Sequence, residues 1–155
     1  MLMIKLLLTP ALVIFCTSCQ NQTSHKLRTS QIEGTWKLLT GTLVENADTT
    51  ITDYTRDVSM IKIINATHFS FLNHDLKQGT DSAAIFSAGG GRYSFSGDQY
   101  TEYLEYCSYR EWEGNAFTFS VTFKGDTLIQ QGVEKIEDLG VERFNIEKYI
   151  RVNVP

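Results

Sequence analysis

Three cysteines, two prolines and three histidines are all that this 155-residue chain has of the residues that cross-link, kink or chelate. Cys16, Cys19 and Cys107 are too few and too unevenly spaced for a disulfide framework or a thiolate metal site. His25, His68 and His74 show no ligand spacing, so no metal and no cofactor is expected. The longest apolar run, Leu6 to Phe15, contains Pro10 and is roughly half of the ~20 residues that a membrane-spanning helix needs. Basic residues number 14 against 18 acidic ones, for a formal net charge of −4. They form no cluster, which argues against nucleic acid as a partner. No long 3.6-residue period is present either, so a helical bundle is excluded.

What is present begins with an address. MLMIKLLLTPALVIF carries one cation, Lys5, then the short apolar run, and the small residues Thr17 and Ser18 precede Cys19. That order is a secretory signal peptide. Because it ends in Cys, it resembles a bacterial lipobox, which implies that Cys19 becomes the acylated N-terminus. Cys16 fits less well, since bulky Phe15 would then sit where a small residue is required. Cys16 also stands where the lipobox usually has Leu, and a plain secreted protein cleaved near Ser18 is the alternative reading. The expected layout is a lipoprotein signal peptide over 1–18, a flexible polar tether over 19–31 and one domain over 32–155. Each buried acyl methylene adds about 0.8 kcal/mol, so an anchor of more than one chain is permanent. Gln20, Asn21 and Gln22 lack the acidic run associated with surface export. The expected location is therefore the cell envelope, lipid-anchored to the outer membrane on its periplasmic face.

From Trp36 onward the hydrophobic period is two. FTFSVTFK, from Phe117 to Lys124, alternates apolar with hydroxyl residues, and HFSFL and RYSFS do the same. Strands are expected near 34–44, 58–64, 67–73, 90–96, 99–109, 116–124, 127–135 and 144–152. Eight short sequential strands close into an up-and-down antiparallel β-barrel, which removes exposed edges. The fold class is all-β.

Two hairpins fix faces. A two-residue turn at Gly97-Asp98 pairs Phe95 with Tyr100 and Tyr93 with Glu102. One face then collects Tyr93, Phe95, Tyr100, Glu102, Leu104 and Tyr106. A turn at Gly125-Asp126 pairs Phe123 with Leu128, Val121 with Gln130, Phe119 with Gly132 and Phe117 with Glu134. The Phe side is inward, so Gln130 and Glu134 point inward as well. An aromatic interior with a few polar groups suits a ligand cavity, and a filled core with mutually satisfied polar groups is the other reading. The tight turns, near Asn65-Ala66, Gly97-Asp98 and Gly125-Asp126, fall at one end. The longer connections, 45–57, 74–89, 110–115 and 136–143, gather at the other, as in a cup.

GTW at the start of the first strand resembles the Gly-x-Trp signature of lipocalins and related barrels. That resemblance implies that Trp36 lies across the closed end beneath a last-strand Arg, here Arg151 in EKYIRV. Over nearly the whole chain from Ile32, the ordered set GTWKL, THFSF, GGRYSFSGDQYTEYLE, FKGDTL and EKYIRV resembles a family of lipocalin-like lipoproteins of anaerobic Gram-negative bacteria. The family implies an eight-stranded barrel and an envelope location, with no ligand or reaction attached. The acidic segment KIEDLGVE is longer here than in that family.

Inward Glu102 needs a partner, and Arg151, Tyr93 and Tyr100 are the candidates. A two-carboxylate hydrolase would require Glu102 and Glu134 to converge. GGGR lacks the Lys-Ser/Thr and the helix of a phosphate loop, and reads as a bulged strand start. His68 faces outward with Ser70, which disfavours haem. Trp112 tops a mouth loop. The expectation is a non-enzymatic protein that binds a small hydrophobic or amphipathic ligand. Its wall would be Phe69, Phe71, Tyr93, Phe95, Phe117, Phe119 and Val121, and Tyr100, Glu102 and Gln130 would supply polarity. The rival is a protein-interaction module, such as an envelope enzyme inhibitor, acting through the mouth loops.

Overall fold

A computed structural model describes residues 31–82 and 84–153. The expected signal peptide, Cys19 and all of the tether but Gln31 lie outside the described residues. Among the described residues there are ten strands: β1 (Gly34–Glu45), β2 (Asp48–Asp53), β3 (Val58–Ile64), β4 (His68–Asp75), β5 (Phe86–Ser96), β6 (Gln99–Tyr103), β7 (Tyr106–Cys107), β8 (Ala116–Lys124), β9 (Thr127–Ile136) and β10 (Val141–Arg151). Antiparallel pairing runs from β10 through β9, β8, β6, β5, β4 and β3 to β1, and β1 pairs back onto β10. The result is a closed eight-stranded lipocalin-like barrel. β7 continues the wall of β6, and β2 hairpins onto the upper half of β1.

Both test hairpins have the expected register. Phe95 faces Tyr100 and Tyr93 faces Glu102, while Phe123 faces Leu128 and Val121 faces Gln130. Alternation then fails twice, each time through a bulge. In β1 the register against β10 shifts between Leu38 and Thr40. Trp36 and Leu38 are therefore buried at the closed end, whereas Gly41 and Leu43 face the interior farther up. The chain also slips between β6 and β7, where Gly90 pairs with Tyr106 and Gly89 with Cys107. This corrects the expected inward Tyr106, which is 69% exposed; Leu104 and then Cys107 take the inward positions.

The slip depends on glycine. A Cβ on Gly91 would lie 2.0 Å from the Tyr103 carbonyl oxygen, and one on Gly89 would lie 2.5 Å from the Phe71 ring. No side chain fits where the bulged strand crosses β5.

Two of the long loops foreseen at the mouth are shorter than expected. Residues 45–57 contain β2, and 136–143 are a tight hairpin in which Ile136 pairs with Val141. The turn runs through a 3₁₀ segment, Glu137–Leu139, and Gly140 closes it with φ 64°. Residues 76–82, 84–85 and 108–115 remain as connections at the mouth, the last with a 3₁₀ turn at Arg110–Trp112.

The closed end is sealed as the Gly-x-Trp pattern implies. The Arg151 guanidinium stacks 4.0 Å above the Trp36 ring. Its Nη1 donates to the Glu33 carbonyl at 2.7 Å, and its Nη2 donates to the Gln31 carbonyl. Trp36 Nε1 donates to the Ile32 carbonyl at 2.8 Å, and Ile32 is fully buried. Gly34 has φ +140°, and a Cβ there would stand 2.5 Å from Arg151 Nη1. Glycine is thus what lets the guanidinium reach over the indole.

Candidate functional site

The lower half of the barrel is solid. Phe69, Phe95, Tyr100 and Phe119 are buried there with Trp36, Leu38, Leu128 and Tyr149. Edge-on ring contacts link Phe69 to Tyr100 at 6.5 Å and Phe95 to Phe123 at 6.4 Å. Half-buried Tyr93 packs 5.4 Å from Tyr100 and donates its hydroxyl to the Asn65 carbonyl. Phe69, Tyr93, Phe95, Tyr100, Phe119 and Val121, all expected to line a ligand site, do not border the cavity; they make its foundation.

Above them lies a cavity of about 450 Å³. Of the expected wall, Phe71, Phe117, Glu102 and Gln130 border it. Met60, Leu43, Leu104, Cys107, Tyr54, Tyr109 and Trp112 complete the less polar lining. Each bulge supplies two of these positions, Gly41 and Leu43 from β1, and Leu104 and Cys107 on either side of the β6–β7 slip. Trp112 packs on Phe117 at 5.9 Å and carries the Arg143 guanidinium 4.7 Å above its ring.

Lys62 forms the floor. It projects inward from β3 between Met60 and Ile64, and its Nζ donates to Glu102 Oε1 at 2.7 Å and to Gln130 Oε1 at 3.1 Å. Glu147 Oε2 stands 3.6 Å away, and the rings of Tyr149, Tyr100 and Phe69 surround the ammonium at 5.2–6.0 Å. Tyr149 donates its hydroxyl to Glu147 Oε2 at 2.8 Å. Among the described residues the buried Tyr100 hydroxyl makes no hydrogen bond of normal geometry, although it stands close enough to Glu102 for each to shift the other's proton affinity. Glu102 is therefore partnered by Lys62, not by Arg151 or Tyr93 as considered from the sequence.

Two carboxylates share one buried cation, and the proton affinities follow. Burial alone would lower Lys62, but the attraction of Glu102 and Glu147 more than offsets it and holds the ammonium above the ordinary lysine range. Burial pushes Glu102 up, and Glu147 adds to the rise against the pull of Lys62. Tyr100 and Tyr149 are driven well above the usual phenol value, first by burial and then by Glu102 and Glu147 respectively.

Near the rim a second polar group closes on itself. Arg143 Nε donates to Glu134 Oε2 at 2.6 Å, and Asn145 Nδ2 donates to Glu134 Oε1 at 3.2 Å. Glu102 and Glu134 both border the cavity, but each is tied to its own cation. His68 is exposed and hydrogen-bonds Thr67. Among the described residues no group of three or more His, Cys, Asp or Glu side chains is arranged to hold a metal.

Lys62, Glu147 and Arg143 were not singled out as site residues from the sequence. In MIKII the outward Ile61 and Ile63 are as apolar as the inward flanks, so no alternation marked Lys62. Glu147 alternates with Tyr149 and Arg151 in EKYIRV, but nothing local in that strand ties it to Lys62. The sequence matches no protein-family model and no curated protein.

Proposed function

We propose that this chain is a non-enzymatic binding protein that holds a small, partly apolar ligand in its barrel, tethered to the bacterial envelope by an acylated Cys19. The observation that carries the reading is the cavity of about 450 Å³. That volume lies inside the range typical of small-molecule sites, and so does its make-up of apolar walls with a few converging polar groups. The solid lower half supports it too, because a rigid foundation keeps the walls apart when the site is empty. The tether and anchor rest on the N-terminal pattern ending in Ser18-Cys19.

Native mass spectrometry of the protein extracted gently from its own membrane, beside a 20–155 form, tests this reading. An added mass beyond the acyl anchor is the expected result; a bare protein from both sources overturns it. A second reading, an interaction module working through the mouth, is favoured by the exposed Phe86, Tyr106 and Tyr109, which are 73%, 69% and 58% exposed. Capture of an envelope protein that is lost on Tyr109→Ser would support that one.

A further inference from the structure

If the cavity holds a ligand, its floor decides what the polar end of that ligand must be. Of the three N–H donors of the Lys62 ammonium, two are taken by Glu102 and Gln130, and the Glu147 carboxylate stands 3.6 Å away as a second counter-charge. An arriving carboxylate would have to compete with two carboxylates already beside that cation. Arg143 at the rim is also engaged, by Glu134 on one side and the Trp112 ring on the other. The acceptors, by contrast, are in excess. Glu102 commits one oxygen to Lys62, and Glu147 commits one to Tyr149. Among the described residues no well-formed hydrogen bond reaches their second oxygens, although the Tyr100 hydroxyl stands close to Glu102; both glutamates border the cavity. Lys62 and Arg143 face three carboxylates around the same space, so one negative charge is in surplus. Beside side chains as buried as Lys62 and Glu102, that surplus repels an anion and attracts a cation strongly.

We propose, resting on the cavity reading above, that the ligand enters head first and that its head is a protonated amine on an apolar body, with carboxylates and phosphates of the same body excluded. The ammonium would take the two uncommitted oxygens of Glu102 and Glu147. The aromatic rings of Tyr54 and Phe71 border the space its body would fill.

The test uses a neutral naphthylamine dye as cavity reporter, displaced in turn by decylamine, decanol and decanoate. Decylamine should displace the dye at a concentration about tenfold or more below decanoate. The gap should shrink in both Glu147→Gln and Glu102→Gln, which keep side-chain shape and remove charge. Equal or better displacement by decanoate overturns the head-group assignment while leaving the cavity reading intact. A preference unchanged in both variants and abolished by concentrated salt belongs to the acidic surface and also overturns it. A dye that never enters, with no heat from any of the three compounds in calorimetry, overturns the cavity reading and this inference with it.

Discussion

A buried ammonium between two carboxylates is stable only while the set is whole, because removing one member strands charges that water can no longer solvate. Lys62→Met should therefore cost about 3–5 kcal/mol in urea unfolding, by stranding Glu102 and Glu147. Adding Glu102→Gln should restore part of that loss, and a double-mutant cycle reads the coupling directly. Should Lys62→Met prove neutral, the floor would be a solvated surface and not a buried ion cluster. Arg151 supports the opposite end in a different way, through a planar fork that stacks on Trp36 while donating to two backbone carbonyls. Lysine keeps the charge but not the plane or the fork. Arg151→Lys should thus lose about 2 kcal/mol, close to the loss from Arg151→Ala, in the same measurement. Full retention by the lysine variant would mean that charge alone matters there.

Strands carry their information by alternation, and the two places where alternation breaks here are both built from backbone. Gly91→Ala would push a Cβ to 2.0 Å from the Tyr103 carbonyl, at a cost of about 3 kcal/mol. Gly97→Ala has open space around it but a φ of +63°, and should cost about 1 kcal/mol. Thermal or urea unfolding of the pair separates the two causes, and equal losses would argue against the crossing at Gly91. The same elements explain what could be read in advance. Hairpins turning at Gly97-Asp98 and Gly125-Asp126 betray their register because turn and alternation agree. β3 and β8 were placed to the residue for a related reason, since a turn or polar break bounds each of them. The bulge at Leu39 has no mark in KLLTGTLVE, so the shift that brings Gly41 and Leu43 inward was invisible. The bulge beyond Tyr103 left a trace only in Gly89 to Gly91, on another strand. Sorting faces past those points therefore put Tyr106 inside. It also gave one continuous aromatic wall where the molecule has a packed foundation and a separate cavity above it. Lys62 was hidden for a third reason, since a single cation within an apolar strand has no pattern of its own.

At the scale of the whole molecule, the interior holds protons that the unfolded chain would release in alkali. Lys62 is raised above 10.5, and Tyr100 and Tyr149 are raised well above 10. Their contribution to stability is complete below those unfolded values and is lost as pH rises through them toward the folded ones. Stability should accordingly fall above pH ~10 by about 1.4 kcal/mol per pH unit for each group still protonated in the fold. Tyr149→Phe should make that slope shallower by one proton; an unchanged slope would show that Tyr149 ionises freely in the folded state. The clamp of Arg151 on the Glu33 and Gln31 carbonyls has a consequence of another kind. Val152 also bonds back to the Thr35 carbonyl, so residues 31 and 153 leave the barrel from the same pole, and the opening lies at the other. A leash or a fused partner on either side therefore pulls on the base and leaves the doorway clear. Held from that side, the molecule stands like a goblet on its foot, with its lip turned toward whatever arrives.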